Sequence, residues 1–225
     1  MTGSAAFLSR LAEADRAALA ARWTVRHYQR DEMIIAHDES GRDVFFVLEG
    51  RARATAFSER GRAVAYRDME PGDIFGELAA IDGRARSASV VALEAMRAAR
   101  LPEAAFRDIV DARPTFTWAL LQHLSGEMRR MTDRIYEFST LVVRKRLIRE
   151  LLRLAEESEQ AEGRAAIAPA PTHFDLAARI STHREAVSRE MSALAKRKLI
   201  ERRGGSLVIR DLAGLKALAG GDDEG

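Results

Sequence analysis

Between Trp23 and Arg100 the chain runs in short alternating stretches, VFFVLEG, RARATAF, AVAYRDM and SVVALEAMRAARL, broken by Gly41, Gly50, Gly61, Gly72 and Gly83. Apolar residues at every second position place one face of each stretch indoors, and a turn signal roughly every ten residues leaves no room for a long helix or for βαβ crossovers. The segment must fold as short antiparallel strands closing into a sandwich or barrel. With Pro71-Gly72 at a turn, it reads as a β-roll.

The period changes on both sides. Residues 7–22, FLSRLAEADRAALAAR, carry apolar positions at helical spacing and predict a short N-terminal helix. A second short helix is expected from Glu103 to Asp111, and a third starts at Pro114, a favoured first-turn residue. Along this third helix Leu121, Leu124, Met128, Met131, Ile135, Phe138 and Val142 recur at alternating spacings of three and four. That narrow stripe suits two helices packed along their length, so Leu121, Leu124, Met128, Met131, Ile135 and Phe138 are read as the interface of a parallel homodimer. Packing of the same helix on its own β-domain is the plainer alternative.

Composition removes several function classes. The 225 residues include no cysteine, which excludes disulfides, a thiolate nucleophile and cysteine-held iron–sulfur clusters. The five histidines, at 27, 37, 123, 173 and 183, show no paired ligand spacing, so no metal is expected. No stretch approaches the roughly 18 apolar residues of a membrane span, and the N-terminus lacks the order of a signal peptide, so the reading is cytoplasmic with no membrane partner. Charge is uneven: residues 143–210 hold 15 Lys/Arg against 9 Asp/Glu, and the remainder 21 against 25. A basic module is joined to a mildly acidic one.

Within the basic module, DLAARI predicts a short helix, Ser181-Thr182 a turn, and HREAVSREMSALAKR a second helix, with Leu176, Ala177, Ile180, Val187, Met191 and Leu194 able to share a small core. This is helix-turn-helix spacing. It leaves Arg184, Glu185, Ser188 and Arg189 on the early outward turns of the second helix, where such motifs read the major groove. Arginine reaches guanine O6 and N7, and glutamate accepts from cytosine N4. LIERRGGSLVIRD follows as a hairpin around Gly204-Gly205, with Arg202 and Arg203 near its tip, the composition of a wing on phosphates. Thr172 and Thr182 complete the expected DNA-facing set.

A second constellation, GELAAIDGRARSAS at 76–89, sets an acid beside a glycine and an arginine beside serines. Spacing alone allows either an internal Glu77–Arg86 ion pair or an anion site. FGELAAIDGRARSASVVA and HREAVSREMSAL, in this order, resemble the CRP/FNR family of bacterial transcription regulators, and most nearly its cyclic AMP receptor group, over almost the whole chain. The resemblance implies an α+β fold: a cyclic-nucleotide-binding β-roll with short flanking helices (1–112), a dimerisation helix (113–139), a winged helix-turn-helix (140–218) and a disordered tail (219–225).

It further implies that 76–89 is a phosphate-binding cassette. Gly76 brings backbone close to the ligand, Glu77 accepts from the ribose 2′-hydroxyl, and the helix starting near Leu78 offers amides to the anion. Arg86 pairs with the phosphate, and Ser87 and Ala88 add a hydroxyl and an amide. Met131 and Thr132 fall where relatives contact the base. Cyclic AMP-responsive members commonly carry Thr-Ser there, so this chain departs at Met131, and cyclic GMP stands beside cyclic AMP as effector.

The expected function is that of a regulator, not an enzyme. No catalytic residues and no cofactor are expected beyond the effector nucleotide. The homodimer would bind a palindromic TGTGA-like operator and contact RNA polymerase, with a hinge near Phe138 to Val143. The alternative is a regulator of the same family with another effector or none, its cassette serving as structure.

Overall fold

The computed structural model describes residues 6–57, 63–156 and 158–220. The expected turn at Gly61 and the tail residues 221–225 lie outside these. The chain divides into two compact units, residues 4–130 and residues 131–225.

Among the described residues of the first unit, eight strands form two four-stranded sheets. One sheet orders β1 (Thr24–Tyr28), β8 (Met96–Leu101), β3 (Val44–Glu49) and β6 (Ile74–Phe75); the other orders β2 (Met33–Ile35), β7 (Ser89–Ala92), β4 (Ala52–Phe57) and β5 (Ala63–Met69). Every pairing is antiparallel. The alternation in VFFVLE divides two cores. Phe45 and Val47 join Ile35, Ala52, Met69, Phe75, Val90, Met96 and Ala98. Val44 and Phe46 point the other way, into a cluster with Phe7, Leu19, Ile74, Leu101, Phe106, Phe116 and Leu120. That second cluster is where the helices α1 (Glu13–Ala20), α3 (Glu103–Ala112) and the start of α4 (Pro114–Thr140) lie down on the sheet.

Two expectations change here. The predicted helix over 7–22 is split into a 3-10 turn at Phe7–Arg10 and α1, because Leu11 and Ala12 are extended. Phe7, Leu11 and Leu19 all reach the core across that break. The run SVVALEAMRAARL is likewise two strands, β7 and β8, turned at residues 93–95.

In the second unit α4 ends at Thr140 and α5 (Val143–Glu156) begins after two residues, inside the segment expected to hinge. A sheet of order β11 (Ile200–Arg203), β12 (Ser206–Ile209), β10 (Arg164–Ile167) and β9 (Glu159–Ala161) flanks α6 (His173–Arg179) and α7 (Arg184–Lys196). Leu147, Ile148, Leu151, Leu176, Val187, Leu194, Leu207 and Ile209 are its buried centre. The last helix, α8 (Leu212–Gly220), extends into the segment expected to be a disordered tail, because Leu215 is buried and Leu218 and Ala219 pack on that core. Among the described residues no helix is long and apolar enough to cross a membrane.

Candidate functional site

The cassette is built around a backbone constraint. Gly76 ends β6 with φ +82°, a conformation that favours glycine, and a Cβ there would stand 2.9 Å from Arg86 Nη1 and 3.0 Å from the Asp43 carbonyl. The following helix α2 (Glu77–Asp82) leaves Leu78 exposed and buries Glu77, Ala79 and Ala80. Arg86 is only 4% exposed: Nη1 donates to the Gly76 carbonyl at 2.8 Å and Nη2 to the Asp43 carbonyl at 2.8 Å. Its Nε is buried without a hydrogen-bond partner and faces Glu39 at 3.7 Å. Burial pulls the guanidinium below its ordinary pKa, against Glu39, Asp43 and Glu77, yet arginine remains a cation at any physiological pH.

Glu77 and Arg86 therefore do not form the simple ion pair that spacing alone allowed. Arg86 lines a cleft of about 610 Å³ with Arg26, Tyr28, Glu39, Asp43 and Arg100, and neither Glu77 nor Ser87 is part of its wall. Ser87 is exposed and Ala88 half-buried. Burial pushes the Glu77 carboxyl above the usual carboxylate range; its own amide, Arg67 and Arg86 pull back, and Glu127 pushes further up. Asp43, Arg67 and Glu127 had escaped the sequence reading. Asp43 acts through its backbone carbonyl, which leaves no side-chain signal. Arg67 lies where the pairing of β5 with β4 shifts register, so simple alternation along AVAYRDM does not mark it.

Met131 and Thr132, the expected base contacts, are exposed positions of α4. The residues of the expected seam on that helix differ in exposure. Leu121, Met128, Met131 and Ile135 are exposed, but Leu124 packs on the first unit's own core. Phe138 is half-buried, with the guanidinium carbons of Arg134 and Arg146 at 5.5 and 5.6 Å from its ring centre, and Val142 lies beyond the helix end. The exposed stripe instead follows Trp118, Leu121, Ser125, Met128, Thr132 and Ile135, still at spacings of three and four. Leu124 and Phe138 are thus half-buried within their own chain, the first against the apolar cluster and the second beneath two guanidinium groups.

The second unit presents a helix-turn-helix. Thr172 caps α6 in a reciprocal capping box with Asp175, so its hydroxyl is engaged by the cap on an exposed residue. At the other end Ser181 takes φ +53° and the Thr182 amide reaches the Ala177 carbonyl at 2.9 Å, a Schellman closure that sets the angle of the next helix. On α7, Val187, Met191 and Leu194 are buried, while Arg184, Glu185 and Arg189 are exposed and have no hydrogen-bond or ion-pair partner among the described residues. Ser188 is half-buried, its hydroxyl 2.8 Å from His173 Nδ1. The wing turns at Gly204 and Gly205, both at positive φ, as a two-residue hairpin requires. Arg202 is tied to the Pro171 carbonyl at 2.9 Å, and Arg203 is exposed beside the turn.

Beneath the turn lies an ionic network that the sequence did not announce. Glu150 is buried and receives Arg179 at 2.9 Å and Arg153 at 2.8 Å. Arg153 also bonds Glu137 of α4, Arg134 donates to the Arg179 carbonyl, and Arg146 donates to the Ile180 carbonyl at 2.9 Å. The last turns of α4 are thereby bonded to the end of α6, directly before the reading helix.

Both halves have counterparts among known proteins. Residues 25–113 match the family model described as a cyclic nucleotide-binding domain, and residues 145–218 the Crp-like helix-turn-helix domain. The chain is 33% identical over 173 residues to transcriptional regulator SdrP of Thermus thermophilus, covering 77% of this chain and 82% of that protein. It is 26% identical over 185 residues to a CRP-like cAMP-activated global transcriptional regulator of Mycobacterium tuberculosis, covering 82% and 83%. A solved CRP/FNR-family transcriptional regulator from Thermus thermophilus superposes with TM-score 0.71 at 30% identity, over 87% of this chain and 98% of that one. A nucleotide-binding roll joined by a long helix to a winged reader of DNA is the architecture of regulators rather than enzymes, and this chain belongs to the CRP/FNR family of transcription regulators.

Proposed function

We propose that this regulator is a homodimer that binds a 3′,5′-cyclic nucleotide, cyclic AMP first and cyclic GMP as its competitor, and then a palindromic operator with TGTGA-like arms. The observation that carries the effector is the Gly76–Arg86 cradle. It holds a buried guanidinium with an unsatisfied Nε, at a glycine that no side chain can replace without clash. A cyclic phosphate is a single compact anion, the partner such a fixed fork accepts. The M. tuberculosis relative, cAMP-activated by its name, supports the same effector.

DNA reading is assigned to Arg184, Glu185 and Arg189, three charges kept on the outward early turns of α7 without internal partners. Arg203 and Arg202 approach the backbone from the wing. Two such helices in a two-fold dimer would meet successive major grooves, about 34 Å apart. The exposed stripe of α4 supplies the dimer seam. RNA polymerase is the expected further partner, and the cytoplasm the expected compartment.

A second reading, an effector-independent regulator whose cassette is structural, is favoured by one fact: both Nη groups of Arg86 already donate to backbone carbonyls. Calorimetric titration of cyclic AMP and cyclic GMP into wild type and Arg86→Ala separates the two. Binding by wild type that falls at least a hundredfold in Arg86→Ala supports the effector reading. No heat from either nucleotide supports the structural one.

A further inference from the structure

Of the four side chains expected to read bases from α7, one is already engaged inside the chain. Arg184, Glu185 and Arg189 are exposed, whereas Ser188 is half-buried and its hydroxyl lies 2.8 Å from Nδ1 of His173. His173 is the first residue of α6, directly after the capping Thr172. Its ring therefore leaves the first turn of α6 and meets Ser188 at the start of the second turn of α7. His173 lies fifteen residues before Ser188, so the RE..SR pattern on α7 gives no hint of it.

The contact constrains what Ser188 can offer. Burial, and then the guanidinium groups of Arg202 from β11 and Arg184 from α7, hold the His173 imidazole below its ordinary pKa. At neutral pH the ring is therefore uncharged, with one nitrogen that donates and one that accepts. Asp175 on the same helix is occupied by the capping box with Thr172. A serine hydroxyl carries one proton and two lone pairs, and a freely rotating one pairs with donor and acceptor atoms of a base alike. With its proton given to Nδ1, Oγ turns only lone pairs outward.

We propose that His173 is a positioning residue for base discrimination: it takes the Ser188 proton at Nδ1, so that Oγ meets the major groove as an acceptor and selects a base amino group, adenine N6 or cytosine N4. The inference rests on the DNA reading proposed above for α7 and adds Ser188 to the residues that meet bases. Guanine and thymine present an acceptor oxygen at the same edge, and face the Oγ lone pairs with no hydrogen between them.

The test is selection of operators by the full chain from a duplex library with randomised palindromic arms, with cyclic AMP, with cyclic GMP and with neither. Affinities are then measured for the selected site and its single-base replacements. Wild type is expected to hold adenine or cytosine at one position of the strand read in each arm, on the order of fivefold over guanine or thymine, the size of one hydrogen bond. His173→Phe should lose that preference at the same position while its affinity for non-operator DNA stays within about twofold. His173→Asn, whose side-chain carbonyl can stand near the place of Nδ1, should restore most of it. Ser188→Ala, which deletes one oxygen, should lose the preference too, and the double variant of His173→Phe with Ser188→Ala should lose no more than either alone. Affinity lost at every position alike in His173→Phe is what a mere staple between α6 and α7 would give, and it overturns the inference alone. An unchanged preference in either single variant, or a wild-type preference for guanine or thymine there, does the same. Wild type that selects no sequence under any of the three conditions overturns the DNA reading and this inference with it.

Discussion

His123 is an imidazole that the fold accepts only without its proton. It lies edge-on to Phe7 at 5.5 Å, is 4% exposed, and its Nε2 has no hydrogen-bond partner. Burial, reinforced by Arg67 and Arg130 against Glu127 and Asp73, pulls its pKa from 6.5 to about 4. Between those values the unfolded chain takes up a proton that the folded chain refuses, so stability falls as pH drops through that window, by about 3 kcal/mol in all. The unfolding midpoint of wild type should fall more steeply from pH 7 to 4.5 than that of His123→Leu; parallel slopes would refute the assignment. At the same scale, the arginines of the second unit should separate by role. Arg189→Ala should cost about 1–3 kcal/mol on the operator and relax discrimination at one base. Arg203→Ala should weaken all sequences alike and reduce the salt slope by about one, as filter binding across salt concentrations would show.

At the level of elements, the joint between α4, α5 and α6 is held by charge rather than by apolar packing alone. Burial acts to raise the Glu150 carboxyl, but Arg179, Arg153 and Arg134 together hold it below the usual carboxylate range. Its contribution is therefore complete above pH 4.5 and is lost as pH falls through the lowered value. Glu150→Ala strands Arg179 and Arg153 and should cost about 3–5 kcal/mol in urea unfolding, whereas an isosteric apolar replacement with both arginines also removed should cost far less. On the opposite side of α4, Ile135 is 66% exposed at the C-terminal end of the stripe. Ile135→Glu should turn the dimer into a monomer in sedimentation velocity, with the thermal midpoint of each unit nearly unchanged; a persisting dimer would place the seam elsewhere.

For the molecule as a whole, an effector that acts through binding must obey reciprocity: if nucleotide tightens operator affinity by some factor, operator tightens nucleotide by the same factor. Gel-shift titrations with and without nucleotide, set beside calorimetry with and without operator DNA, should return equal ratios. Equal operator affinity under all conditions would show that the roll and the reader are uncoupled.

The sequence by itself determined the architecture, because its strongest signals are local. Glycine-punctuated alternation can only be a roll, a three-four repeat starting at Pro114 can only be a long helix, and Leu176, Ala177, Ile180, Val187, Met191 and Leu194 all proved buried as their periods required. It also marked which charges of α7 stay exposed, since that helix turns outward whatever its core does not need. Only the tertiary structure decided which face of α4 is exposed, because Leu124 and Phe138 look identical in a heptad to Met128 and Ile135 until their own chain covers them. The same holds for the cassette. Whether Glu77 and Arg86 pair with each other depended on the carbonyls of Gly76 and Asp43, which come together around the guanidinium only when the roll closes. Electrostatic partners are set by distance in space, and period and spacing carry no record of that.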